Sequence, residues 1–160
     1  SIGSIALLAK LFWLPIIDLG QMKWLFVQAL NLDGSIYNTL NAFRNSILRF
    51  AMFPPKNSSL IVIDTGISHI PFILELGENE IKEYVVKFKY LLKSVDISLV
   101  VPPSQGELVN RLSRRGHGRV KSRENIISLA KKNIEIYNTY CETLHLENIK
   151  ITLVKVNKEC

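Results

Sequence analysis

Three short segments rich in apolar residues constrain the fold of this chain more than any other feature. They are Leu60–Ile63, Ile97–Val101 and Ile149–Val156, and segments with apolar residues at helical spacing lie between them. Strands that can be apolar on both faces are typical of a parallel sheet with helices on each side. The pattern therefore predicts an α/β protein with a three-layer parallel sheet flanked by helices.

The helices are predicted from apolar residues that recur every three or four positions. Ser104 and Ser122 each precede such a segment, in the position where a serine side chain can cap a helix. The predicted helices cover residues 4–13, 21–31, 36–50, 79–93 and about 104–115, with one long helix after Ser122.

Length and composition indicate one domain over residues 1–160. The chain is 48% hydrophobic, and no polar segment is long enough to act as an interdomain linker. Its longest apolar stretch, Ile5–Ile17, is shorter than the roughly 20 residues that cross a bilayer. The two cysteines, Cys141 and Cys160, make neither a metal-ligand pair nor a disulfide framework. We therefore expect a reduced, cytoplasmic protein without a transmembrane segment.

Positive charge is concentrated in one part of the chain. The net charge is +6, and residues 111–132 hold eight basic side chains against one acidic side chain. Arg111 and Arg115 are four residues apart and share a helix face, and glycines at 116 and 118 follow them. This spacing predicts a mobile lid over about residues 111–123 that closes on phosphate groups. Nucleic acid or an acidic membrane surface could also bind such a patch, although no aromatic residues are interleaved for base stacking.

A second group of candidate residues follows the first predicted strand. Asp64 comes directly after Leu60–Ile63, at the sheet edge where parallel α/β folds bind ligands. A carboxylate there can hold Mg²⁺ or accept a proton from an attacking hydroxyl, and it can also simply cap the turn. Ser68 and His69 lie in the same predicted loop. His69 can bind a substrate phosphate or act as an acid or base, and it can equally be a packed structural residue.

The order of these motifs resembles that of a known family. An apolar strand ends in Asp64-Thr-Gly-Ile-Ser, a later strand reads Asp96-Ile-Ser-Leu-Val-Val-Pro-Pro, and Glu107-Leu-Val-Asn-Arg-Leu-Ser-Arg-Arg-Gly follows it. This order resembles the P-loop nucleoside and nucleotide kinases, in particular the thymidylate-kinase-like proteins. The resemblance covers about residues 58–156, and it extends only loosely over residues 1–57.

The resemblance implies an ATP-dependent phosphotransferase that acts on a nucleoside, a nucleotide or a similar small acceptor, with ATP and Mg²⁺ as cofactors. In such a protein Asp64 takes the catalytic and metal-binding role at the strand end, and Arg111 and Arg115 take the catalytic roles in the lid. The remaining implied contacts are substrate binding by Ser68, His69 and Arg119, and nucleotide binding by Arg114 and Asn157.

The chain also departs from that family. The phosphate-loop motif G-x-x-x-x-G-K-S/T occurs nowhere, and Thr65-Gly66 stands where many relatives carry a second acid or an arginine. The helix predicted from Ser4 resembles the one that normally follows the loop, so we expect the first strand and loop upstream of Ser1. The chain is then a truncated or degenerate kinase. A non-catalytic kinase-like binding domain and a basic nucleic-acid-binding module are the alternative functions that the sequence leaves open. Each of these is compatible with a homodimer.

Overall fold

A computed structural model describes residues 19–31, 67–115 and 122–155, apart from the side chain of Arg115. The chain divides into two compact units, Ser1–Leu74 and Glu75–Cys160, and each is described by itself. The predicted helices over residues 4–13 and 36–50 and the predicted strand Leu60–Ile63 lie outside the described residues. The site residues Asp64, Arg119 and Asn157 lie outside them as well.

The first unit contains two described helices. Helix α1 spans Leu19–Leu30, which confirms the helix predicted over residues 21–31, and it buries Leu25 and Ala29. A turn of 3₁₀-helix at Ile67–His69 leads directly into the short helix α2, Ile70–Ile73. Pro71 occupies the first turn of α2. A proline is well tolerated there because its missing N–H would have no partner within the helix.

The second unit begins with two consecutive helices in place of the single helix predicted over residues 79–93. Helix α3 spans Glu78–Lys87 and helix α4 spans Lys89–Lys93. They meet at Phe88, whose ψ of 11° departs from helical geometry. The Phe88 ring is fully buried and stacks on Tyr84 with 4.8 Å between ring centroids. The four residues that helical spacing predicts to face inward are all buried, namely Ile81, Val85, Phe88 and Leu92.

The longest helix, α6, spans Arg123–Leu146 and forms the centre of the second unit. The N–H of Asn125 donates a hydrogen bond to Ser122 Oγ at 3.2 Å, which confirms the predicted cap. Helix α6 packs against α3, where the rings of Tyr84 and Tyr140 lie 6.3 Å apart. The residues that α6 buries are Ile126, Ala130, Ile136, Tyr140, Thr143 and Leu144.

Two ion pairs connect α6 and the turn after it to preceding segments of the same unit. Lys132 Nζ lies 2.9 Å from a carboxylate oxygen of Glu75, and Lys89 Nζ lies 2.7 Å from one of Glu147. Glu75 adopts a φ of 47°, in the left-handed region that non-glycine residues seldom occupy. Each pair joins residues that are far apart in sequence, so each restrains how separate segments of the unit pack together.

The described sheet consists of two parallel strands, as predicted. Strand β1 spans Ile97–Val100 and strand β2 spans Ile151–Val154, with Ile97 paired to Ile151 and Val100 paired to Val154. Helices α5, Gln105–Arg115, and α6 form the connection between the strands. This part of the chain is therefore a β–α–α–β unit, which agrees with the predicted α/β class.

Only one face of β1 is buried in the structure. Ile97 and Leu99 are buried, whereas Ser98 and Val100 are exposed, and Val100 retains 58% of its accessible surface. The sequence pattern predicted strands that are covered on both faces. Alternate burial arises because successive side chains of a strand point to opposite faces of the sheet, and the described helices cover one of them.

The described helices are short or polar relative to a membrane-spanning helix. None of those within residues 19–31, 67–115 and 122–155 is both long enough and apolar enough to cross a bilayer.

Candidate functional site

Helix α5 carries the arginines that the sequence singles out, and it begins where predicted. The N–H of Glu107 donates to Ser104 Oγ at 3.4 Å, and the N–H of Leu108 donates to the carbonyl oxygen of Ser104 at 2.9 Å. Four residues separate the carboxyl end of β1 from the start of this helix, which packs against α6. The site is thus positioned by the same β–α–α–β unit that forms the described sheet.

No described side chain of α5 is fully buried. Leu108 and Leu112, one turn apart, are half-buried and give the helix a narrow apolar side. Arg111 and Arg114 are both exposed. An amphipathic helix with this distribution is held by modest contacts while its charged groups stay in water.

Arg111 is already bound to an anionic group of the same helix. Its terminal guanidinium nitrogen lies 2.7 Å from Glu107 Oε1, and the two side chains are 48% and 28% exposed. The glutamate precedes the arginine by four residues, which is the favourable order on a helix. An exposed pair of this kind contributes about 0.3–0.5 kcal/mol. Glu107 was not among the predicted site residues, although its spacing from Arg111 is the sequence signal for such a pair.

The other predicted lid arginines are distributed along and beyond α5. Arg114 makes no ion pair within the described part of the chain. Arg115 is the last residue of the helix, so its backbone lies one turn from that of Arg111. The structure thus places Arg111, Arg114 and Arg115 within the last two turns of one helix. The predicted lid beyond residue 115 and the role of Arg119 stay predictions.

The basic patch is less uniformly positive than its sequence indicates. Lys132 is paired with Glu75 at 2.9 Å and Lys131 approaches Glu135 at 3.8 Å, while Arg111 is paired with Glu107. Acidic residues outside residues 111–132 thus neutralise part of the patch. These ion pairs interrupt the positive charge. The residues therefore fit a small anion site on α5 better than a broad, continuous surface for nucleic acid.

Ser68 and His69 belong to the first unit. Ser68 lies within the 3₁₀ turn, and His69 is the residue directly before α2, where its side chain makes no capping hydrogen bond. The His69 ring stacks on Phe72 with 5.5 Å between centroids. This contact agrees with a packing role for His69, and its predicted binding to substrate stays a prediction.

Three tyrosines and one cysteine of the second unit are unsuited to proton transfer near neutral pH. Burial raises the pKa of Tyr84 and Tyr140, and burial together with neighbouring Cys141 raises the pKa of Tyr137 to about 12. Burial also raises the pKa of the Cys141 thiol, which lowers its reactivity as a nucleophile. These groups therefore belong to the core and its border.

The described residues were searched for a metal site. Within them, no three His, Cys, Asp or Glu side chains are grouped so that they could hold a metal ion. Asp64, the predicted metal ligand, lies outside this search.

Comparison with models of protein families, with curated proteins and with solved structures finds no match for this chain.

Proposed function

We propose that this chain is a variant form of a kinase-like phosphotransferase, without the G-x-x-x-x-G-K-S/T motif in its sequence, that uses ATP and acts on a nucleoside, a nucleotide or a similar small acceptor. The observation that carries the proposal is the parallel pair β1 and β2, connected through an exposed helix that ends in arginines. In the P-loop nucleotide kinases that the sequence resembles, a helix with this position and charge leads into the lid. Cytoplasmic localisation and the thymidylate-kinase-like lineage belong to the same proposal.

The three-layer sheet is part of this proposal. It requires a further layer over the sheet face that carries Val100 and Val154, which are 58% and 39% exposed. It also requires further strands beside the described pair. The coarse α/β architecture supports the lineage without specifying these additions.

The chemistry of α5 suits the phosphates of a nucleotide. A guanidinium group offers several N–H donors in one plane and binds carboxylate and phosphate oxygens in the same way. The 2.7 Å contact of Arg111 with an anionic oxygen is an intramolecular example of that interaction. Arg114, three residues further on, adds a second exposed guanidinium on a neighbouring part of the helix surface. ATP therefore fits the described donors through its phosphate groups.

The roles of the remaining predicted residues rest on the resemblance. Asp64 would supply the carboxylate for Mg²⁺, and Arg115 and Arg119 would complete the lid. Ser68 and His69 would bind substrate, and Asn157 would lie near the nucleotide. Bound Mg²⁺ would neutralise phosphate charge, and the arginines of α5 would orient the phosphate chain and offset its remaining charge.

The proposal is tested by binding and by turnover. We expect ATP with Mg²⁺ to raise the melting temperature of the protein, and we expect labelled γ-phosphate to pass to at least one member of a nucleoside and nucleoside-monophosphate panel. The double variant Arg111→Gln/Arg114→Gln should lose most of the melting shift. Lys131→Gln is the matched control, because it removes an exposed positive charge from α6 and should leave the shift intact.

Each other outcome of this experiment has a definite meaning. A melting shift without transfer to any acceptor would favour a non-catalytic nucleotide-binding domain. Absence of both would overturn the proposal. Binding to nucleic acid that weakens steeply with salt, without any ATP effect, would favour the basic nucleic-acid-binding module.

A further inference from the structure

The ion pair between Glu107 and Arg111 has a consequence for anion binding. We propose that Glu107 is a built-in competitor for phosphate: it holds Arg111 when no anion is bound and releases it when one binds. The inference rests on the proposed function, because it concerns the same arginine. Glu107 is a positioning residue in this view, since it acts through Arg111.

The two partners differ in how firmly the helix holds them. Glu107 lies in the first turn of α5, its N–H is bound to Ser104 Oγ, and its side chain is 28% exposed. The Arg111 side chain is 48% exposed and reaches back by one turn. The Glu107 side chain is therefore the shorter and less exposed partner, and the first turn is also where the helix dipole favours negative charge. Arg111 is the partner that can swing away to another anion.

The contrast with Arg114 shows why the pair affects selectivity. Arg114 is exposed and forms no ion pair within the described residues, so none of those residues supplies a carboxylate that competes with an incoming anion there. At Arg111 the anion must replace an existing 2.7 Å contact and approach a negatively charged oxygen. A ligand with one negative charge gains little from that exchange, whereas a polyphosphate gains more because several oxygens remain to bind the released guanidinium. Glu107 thus weakens the binding of every anion at Arg111, and a polyphosphate is the kind of anion that can still displace it.

The competition is modest, because an exposed pair at this spacing is weak. We expect Glu107→Gln to tighten the binding of inorganic tripolyphosphate by about twofold at low ionic strength. The same change should tighten acetate binding by no more than this, because the cost of breaking the ion pair is common to all anions and repulsion by Glu107 is smaller for a single charge. Both effects should shrink as salt screens the charges.

A double-mutant cycle tests the inference. Tripolyphosphate binding is measured by calorimetry for the wild type, Glu107→Gln, Arg111→Gln and the double variant. We expect the gain from Glu107→Gln to vanish when Arg111 is already replaced. The matched control is Glu78→Gln, which removes the carboxylate of another exposed pair four residues from its lysine, on α3. This control should leave tripolyphosphate binding unchanged.

The side-chain N–H signal of Arg111 in NMR spectra supplies a second measurement. It would not change on anion binding if Glu107 had a purely structural role. It should shift in Glu107→Gln without ligand, and tripolyphosphate should shift it in the wild type. Unchanged or weaker tripolyphosphate binding by Glu107→Gln, or an equal gain in the Arg111→Gln background, would overturn the inference while the proposed function stands. Failure of the wild type to bind tripolyphosphate at all would overturn both.

Discussion

Helices α5 and α6 lie side by side in the same connection between β1 and β2, yet the protein holds them very differently. Helix α6 buries six side chains and has a serine cap with a 3.2 Å hydrogen bond. Helix α5 buries none of its described side chains, and its capping contact is longer, at 3.4 Å. Stability of the second unit is therefore concentrated on α6 and its partner α3, while α5 presents charged groups to solvent. Weakly held elements of this kind are the ones that proteins use to bind and release ligands.

The largest expected difference between the helices comes from truncating a side chain on each. Tyr140→Ala on α6 should lower the free energy of unfolding by about 3–5 kcal/mol, because it leaves a cavity beside Tyr84 in the core. Leu112→Ala on α5 should cost less than about 1.5 kcal/mol, since that side chain is only half-buried. Urea unfolding of both variants measures the difference. Equal losses would show that α5 is anchored as firmly as α6.

Alkaline pH should destabilise the α3–α6 core in a second, independent way. The pKa values of Tyr84 and Tyr140 are raised in the folded protein, so above pH 10 the unfolded chain releases protons that the folded chain retains. Stability should then fall by about 1.4 kcal/mol per buried tyrosine for each pH unit above 10, until the folded-state pKa is reached. Below pH 10 this contribution should be constant. Melting temperature as a function of pH measures it.

Phenylalanine variants separate the buried tyrosines from an exposed one in that experiment. Tyr84→Phe or Tyr140→Phe should make the alkaline loss of stability less steep. Tyr90 is 83% exposed, and Tyr90→Phe should leave the alkaline transition in place. If the alkaline transition responds equally to all three variants, the loss of stability does not come from the buried tyrosines. Repulsion among the many negative charges present at high pH would then be its main cause.

The smallest difference is expected between the two helix caps. Ser122→Ala should destabilise the protein by about 1 kcal/mol, because the N–H of Asn125 loses its partner. Ser104→Ala should cost about half as much or less, since the contact from Glu107 is longer and the helix it begins is less buried. Thermal unfolding of the two variants provides the comparison. If Ser104→Ala destabilised the protein more than Ser122→Ala, the start of α5 would contribute more to stability than the start of α6, contrary to our expectation.

Local sequence patterns predicted much of the second unit. The serine caps at 104 and 122, the inward positions of α3 and α4 and the parallel relation of the two strands are all confirmed. Each depends on interactions within a few residues or on a period that the sequence displays directly. The break at Phe88 was not predicted because Phe88 itself satisfies the helical spacing. Its departure from helical geometry accompanies full burial of its ring, and the spacing of apolar residues gives no sign of that change in the backbone.

The charged site was harder to predict than the fold. The sequence shows eight basic residues in residues 111–132, but their effective charge depends on carboxylates that folding brings near. Glu75 reaches Lys132 across more than fifty residues, and such a contact has no local signal. Glu107 did have a local signal, its spacing from Arg111, and this was visible in the sequence. The predicted roles of Asp64, Arg119 and Asn157 depend on residues outside the described part and stay predictions.

The pairing of β1 with β2 also affects synthesis on the ribosome. Ile97 and Ile151 are partners, so β1 leaves the exit tunnel roughly fifty residues before the strand that satisfies its hydrogen-bonding edge. At bacterial or eukaryotic elongation rates that delay lasts about 3–10 seconds. During this interval α3 and the growing α6 can already associate, while the edge of β1 that later pairs with β2 stays open to other extended chains. A nascent chain of this protein is thus most vulnerable to aggregation, and most in need of a chaperone, between the emergence of β1 and that of β2.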